Sequence, residues 1–114
     1  MELQPQQIDD VLVITVKARR IDAAVAIQFK DAMRELTRDA RGRIVLDLNQ
    51  VDFIDSSGLG AVVAAMKQLE NGLQLELAAL SPTVDKVFRL TRMDSIFAIH
   101  DDAASAVGEL RKSG

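Results

Sequence analysis

The chain has 114 residues, a formal net charge of -3, and no cysteine, tryptophan or tyrosine. That length suits one domain over residues 1–114 around one core, and it is too short for a catalytic domain plus a regulatory one. Aromatics at 4% supply no stacking platform for single-stranded nucleic acid, the negative charge disfavours a phosphate backbone as partner, and the lack of cysteine excludes disulfides, thiolate metal sites and cysteine nucleophiles.

Taken in chain order, Val11–Val16 (VLVITV) is rich in β-branched residues and reads as a strand, with residues 2–7 as its hairpin partner through Ile8-Asp9-Asp10. Residues 1–10 are acidic and polar, unlike the basic then apolar start of a signal peptide, and no apolar run approaches the roughly 20 residues of a membrane span. A cytoplasmic protein without membrane insertion is expected. Asp22 stands where an N-cap belongs. Val25, Phe29, Ala32, Met33 and Leu36 then mark the buried face of a helix ending near Arg41-Gly42, while Lys30, Arg34 and Arg38 beside Asp31, Glu35 and Asp39 form its solvated face.

The run Ile44, Val45, Leu46 and Leu48 is nearly continuous, as in a strand covered on both faces, and Asp47 is its single polar interruption. After Asp55-Ser56-Ser57-Gly58-Leu59-Gly60 the apolar period changes from two to 3.6, with Leu59, Val62, Val63, Met66 and Leu69 on one helical stripe. Asp55, Ser56 or Ser57 could each cap that helix. Asn71-Gly72 is a stop signal. Leu73, Leu75 and Leu77 alternate with Gln74 and Glu76 as in a half-exposed strand. Ser81-Pro82 supplies an N-cap and a proline at the first helical position, for a helix burying Val84, Val87 and Phe88. Residues 96–99 read as a short last strand, and Asp101-Asp102 opens a helix that turns Ala103, Ala106, Val107 and Leu110 toward the sheet, with residues 104–114 able to trail into a frayed tail. Strands alternating with helices after a hairpin define an α/β fold, a mixed sheet with helices packed against it.

The chemistry-bearing candidates thin out quickly. A nucleophilic serine needs an oriented base, and the only histidine, His100, is expected as a surface residue at a strand end. The nucleophile-elbow pattern fails because Ile54 replaces its first glycine. Gly58 and Gly60 lie at a strand-to-helix turn, where backbone N–H groups could hold an anion, but the Lys-Ser/Thr pair of a phosphate loop is missing. Asp47, Asp52 and Asp55 are not spaced to gather magnesium, and turn or cap chemistry accounts for the latter two. No catalytic residue, cofactor or metal site is expected.

The segment Val51-Asp52-Phe53-Ile54-Asp55-Ser56-Ser57-Gly58-Leu59-Gly60 resembles the phosphorylation signature of bacterial anti-sigma factor antagonists, the single-domain STAS family. Ile21-Asp22, and Ser81-Pro82-Thr83-Val84 through Ile99, agree with the same pattern, so the resemblance spans nearly the whole chain. It implies a STAS-type sheet and phosphorylation of Ser56, the first serine after the aspartate, with Ser57 as the rival hydroxyl. It further implies an anti-sigma factor serine kinase with a histidine-kinase-like ATPase fold as partner, a serine phosphatase that resets the switch, and a partner surface built from Asp22, Asp55, Ser56, Ser57, Gly58 and Leu59. The sequence departs from the family at Ala18-Arg19-Arg20, where members usually carry a glycine and an acidic residue before a Leu-Asp-like pair. These arginines would suit a partner with an acidic patch. Two other outputs remain open on the same fold: a partner switch controlling secretion or another effector, and a STAS subunit of a membrane transport complex.

Overall fold

The computed structural model describes residues 1–70 and 72–113, with the backbone alone over residues 109–113. Among the described residues, seven strands and four α-helices follow the order β1 (Leu3–Ile8), β2 (Val11–Val16), β3 (Arg20–Ile21), α1 (Ala26–Thr37), β4 (Arg43–Asp47), β5 (Phe53–Ile54), α2 (Ser56–Lys67), β6 (Leu75–Ala78), α3 (Pro82–Leu90), β7 (Ile99–His100) and α4 (Ala103–Ser113). The main sheet runs β1-β2-β4-β6-β7; β1 and β2 are antiparallel and every other neighbouring pair is parallel. The expected mixed α/β sheet is therefore what the chain forms, and the hairpin turn is Asp9-Asp10, with Asp9 at φ 53° in the left-handed region that Asp tolerates.

Strand alternation sorts the core into two layers. Leu12, Ile14, Val16, Ile44, Leu46, Leu75 and Leu77 point one way and are covered by Phe29 and Met33 of α1, Ala61, Val62 and Ala65 of α2, and Val84 and Phe88 of α3. Val11, Val13, Val45 and Ala78 point the other way and meet Ala106 and Val107 of α4. The continuous apolar run of β4 follows from this, because both its faces are buried. Phe88 and Phe97 close one end of the first layer edge to face, with ring centroids 6.0 Å apart. Pro5, which cannot donate a ladder hydrogen bond, sits on the edge strand β1, where that loss is harmless.

Several boundaries differ from the sequence expectation for physical reasons. Asp22 is not the N-cap of α1: it caps the preceding turn, accepting the Ala24 N–H on Oδ1 at 3.1 Å, and α1 starts at Ala26 without a side-chain cap. The helix stops at Thr37, whose buried hydroxyl donates to the Met33 carbonyl at 2.7 Å, and Gly42 (φ +82°) turns the chain into β4. β6 is an interior strand, not a half-exposed one, since Glu76 is taken up by Arg43 and His100 on the α4 side. The last strand is only Ile99–His100; residues 93–95 make a 3₁₀ turn and Ile96 is exposed. Residues 104–113, expected as a possible tail, are helical. Ser81 and Pro82 act as expected, the serine accepting the Val84 N–H at 3.3 Å. Asp102 caps α4 through the Ser105 N–H at 2.7 Å, which holds its carboxyl below the usual pKa. Asn71 and the Leu110 side chain lie outside the described residues.

Candidate functional site

Two strands of two residues each, β3 and β5, form a separate parallel pair that brings the chain before α1 against the chain before α2. Arg20 pairs with Phe53 and Ile21 with Ile54; Ile21 and Ile54 are buried, while Arg20 and Phe53 are exposed. The Arg19 carbonyl accepts the Asp52 and Phe53 N–H groups at 2.7 and 3.2 Å. The chain then reaches Asp55, extended at φ -104° and ψ -175°, and α2 begins with Ser56.

Asp55 does two jobs with one carboxylate. Oδ1 accepts the Gly58 N–H at 2.8 Å, capping α2, and Oδ2 accepts the Ala23 N–H at 3.3 Å, tying down the loop that leads to α1. Of the three possible caps the structure thus uses Asp55, and both serines are left over. Ser56 and Ser57 occupy the first two helical positions, both exposed, and neither their hydroxyls nor their N–H groups have a hydrogen-bond partner among the described residues. Gly58 is buried and lies beneath the surface instead of on it. A β-carbon there would stand 1.9 Å from the Ile21 carbonyl oxygen, so only glycine lets the first turn of α2 approach β3 so closely. Leu59 is half-buried and packs on the core.

The arginines are not a bare cationic patch. Arg19 puts Nε and Nη2 on the same Asp52 oxygen, at 2.8 and 2.6 Å. Arg20 donates Nε to Asp22 Oδ2 at 3.2 Å and lies over the Phe53 ring, 4.3 Å from its centroid. Arg19 and Arg20 thus pair with Asp52 and Asp22, while the Asp55 carboxylate accepts backbone N–H groups, and the three acids outnumber the two arginines. The sequence placed Asp22, Asp55 and the serines in one region only through the resemblance; β3 and β5 are what join them.

His100 is not the surface residue expected. Its side chain is 11% exposed, and Nε2 meets Glu76 Oε1 at 2.7 Å. Arg43 donates Nε to Glu76 Oε2 at 2.7 Å and Nη1 to the Ala106 carbonyl of α4 at 3.1 Å. Burial pushes the Glu76 carboxyl up, but hydrogen bonds and charge from Arg43 and His100 outweigh it and leave its pKa below the usual glutamate value. The histidine is therefore engaged in a structural cluster on the α4 face of the sheet, and the register of β7 against β6 carries it there, away from the layer that holds α2. Among the described residues, no group of three or more His, Asp or Glu could hold a metal ion, and no helix is long and apolar enough to cross a membrane.

A parallel-centred sheet with an exposed, unengaged serine opening the helix after a capping aspartate defines a class of domain, and comparison with known proteins identifies it. Residues 2–106 match the STAS domain family, to which this chain belongs. The protein BtrV of Bordetella bronchiseptica is 30% identical over 112 residues, 97% of this chain and 96% of that one. The anti-sigma-B factor antagonist of Listeria monocytogenes is 34% identical over 84 residues, 72% of this chain and 73% of its own. The Bacillus anti-sigma factor antagonist SpoIIAA shares the fold: its unphosphorylated form superposes at a TM-score of 0.74 with 23% identity over 97% of each chain, and its phosphorylated form at 0.67 with 23% identity over 96% of this chain and 99% of that one.

Proposed function

We propose that this chain is an anti-sigma factor antagonist working by partner switching. Unphosphorylated, it binds an anti-sigma factor serine kinase with a histidine-kinase-like ATPase fold; phosphorylated on Ser56, it is released, and a serine phosphatase restores it. ATP binds to the kinase, and this protein acts in the cytoplasm as substrate and partner, without a cofactor of its own. Arg19, Arg20, Asp22, Asp55, Ser56, Ser57 and Leu59 form or border the docking surface.

The observation that carries this reading is the division of labour at the start of α2. Asp55 supplies the cap, so the Ser56 hydroxyl is exposed and has no structural duty to lose. A phosphate adds about -1.5 to -2 charges and three acceptor oxygens. The positive end of α2 favours an anion there by roughly 0.3–1 kcal/mol, so the fold tolerates the modification. A partner pocket shaped for a neutral hydroxyl must instead desolvate a dianion beside Asp55 and Asp22, a mismatch that costs several kcal/mol. Relatives of this fold agree with such a cycle, since SpoIIAA is known in both phosphorylated and unphosphorylated forms.

The test is to incubate the protein with its cognate kinase and ATP and to map the phosphate by mass spectrometry. A single phosphate on Ser56, with loss of kinase binding, is expected. Phosphate on Ser57 alone, or stable binding with no modification, refutes it.

A further inference from the structure

The two arginines that set this chain apart differ in how many of their donors are committed. Arg19 directs two donors, Nε and Nη2, at a single Asp52 oxygen, which holds its guanidinium on the Asp52 side. Arg20 is committed only through Nε, to Asp22, while its two Nη nitrogens have no hydrogen-bond partner among the described residues. The guanidinium is nevertheless held, because the Phe53 ring lies under it and Asp22 fixes its edge. Phe53 is the residue directly before Ile54-Asp55-Ser56, and Arg20 is its partner across the β3–β5 pair. A fork of four free N–H groups is thus anchored beside the turn that presents the Ser56 hydroxyl.

The geometry points to Arg20 as an internal phosphate ligand: when Ser56 carries a phosphate, the Nη groups of Arg20 donate to its oxygens while Nε stays on Asp22. This rests on the reading of Ser56 as the phosphoacceptor and adds a regulation of that site. Guanidinium forks match phosphate oxygens in a paired arrangement, and charge-assisted bonds of this kind are stronger than neutral ones. Asp22 and Asp55 oppose the incoming charge, and Arg20 offsets part of it. The modified turn then carries a phosphate folded onto β3 with less of its charge directed outward. Two consequences follow for this chain. The dianion is favoured over the monoanion, and a phosphatase must draw the phosphate away from Arg20 before hydrolysing it, so dephosphorylation is slower than without that side chain.

The test does not need the kinase. Phosphoserine is installed at position 56 during synthesis of the full chain, and its second ionisation is followed by phosphorus-31 NMR in the wild type, Arg20→Gln and Arg19→Gln. All three fold, since both arginine side chains are largely exposed. A guanidinium contact that favours the dianion lowers its pKa, so Arg20→Gln should titrate about 0.2–0.7 unit higher than wild type, the shift set by an exposed ion pair, and Arg19→Gln should match wild type. Equal titration of wild type and Arg20→Gln overturns the proposal, as does an equal shift in Arg19→Gln, which would mean a diffuse field instead of a defined contact. Because the phosphate is installed chemically, failure here leaves the identity of the phosphoacceptor to the mapping experiment, and failure of that mapping leaves this titration readable.

Discussion

Gly58→Ala is the substitution that most directly tests how the site is built. An alanine β-carbon would lie 1.9 Å from the Ile21 carbonyl oxygen, 2.7 Å from its carbon and 3.0 Å from Ile54 Cγ1. Ordinary carbon–oxygen contact is well over 3 Å, so α2 and β3 must part by about an ångström, and the nearest obstacle is backbone that cannot rotate aside. The parting strains the Asp55 N–H to Ile21 carbonyl bond (3.4 Å) and the Ala23 N–H to Asp55 bond (3.3 Å), both already long. Overpacking costs about 1–3 kcal/mol and each weakened hydrogen bond about 0.5–1.5, against a gain of up to about 1 kcal/mol from replacing a helical glycine. The expected net loss is about 1–5 kcal/mol, read as a lower urea midpoint with an unchanged slope. Gly60→Ala is the internal control. It lies in the same helix, nothing stands within 4 Å of its β-carbon, and it should gain up to about 1 kcal/mol. A Gly58→Ala protein as stable as Gly60→Ala would refute the close approach of α2 to β3.

Three further outcomes follow from the same geometry. Asp55→Ala removes both the α2 cap and the tie to Ala23 and should cost about 1–2 kcal/mol, whereas Ser56→Ala should stay within about 0.5 kcal/mol; equal losses in urea titrations would show that the serine does the capping after all. Ser56→Asp and Ser56→Glu should weaken kinase binding in calorimetry with no change in the far-UV spectrum, less completely than phosphate because one carboxylate carries less charge; undiminished affinity in both counts against electrostatic release. The depressed pKa of Glu76 means that its contribution to stability is present above the ordinary glutamate value and is lost as pH falls below it, through the lower folded value. Glu76→Gln should therefore be less stable than wild type at pH 7 and lose less on acidification, and parallel pH–stability curves for the two would refute the linkage.

Most of the fold was legible because long, strongly periodic segments carry it. The VLVITV strand, the strand before Asp55, the α2 stripe and the Ser81-Pro82 helix start each had a local signal that tertiary packing then used. What the sequence could not show were features made by two distant short pieces. Strands of two residues have no periodicity, so the β3–β5 pair, and with it the meeting of Arg19, Arg20 and Asp22 with Asp52 and Asp55, left no trace in the pattern. The same holds for Arg43, Glu76 and His100, of which Glu76 read as an outward acid, His100 as a surface histidine, and Arg43 gave no signal. Parallel register stacks them on the α4 face, where each satisfies a partner that would be costly to bury alone. Glycine is a partial exception. Gly58 could be flagged as conformationally special, but which carbonyl it faces is known only from the fold.

These contacts also explain why a charge change at Ser56 can stay local. The bonds that position the turn run from the Asp55 carboxylate and the β3 and β5 backbones, and the packing that secures it comes from Gly58, Ile21 and Ile54, all buried. None uses the Ser56 side chain. Under the proposed switch, a phosphate there would alter what a partner meets on the surface without removing any contact on which α2 depends, so the binding equilibrium would shift by the electrostatic mismatch that Arg20 leaves uncompensated, while the folding equilibrium would shift far less. In a chain that used Ser56 as its cap, the same phosphate would disturb the helix start as well, and release would be coupled to partial loss of structure. Assigning the cap to the neighbouring aspartate is what separates the two equilibria.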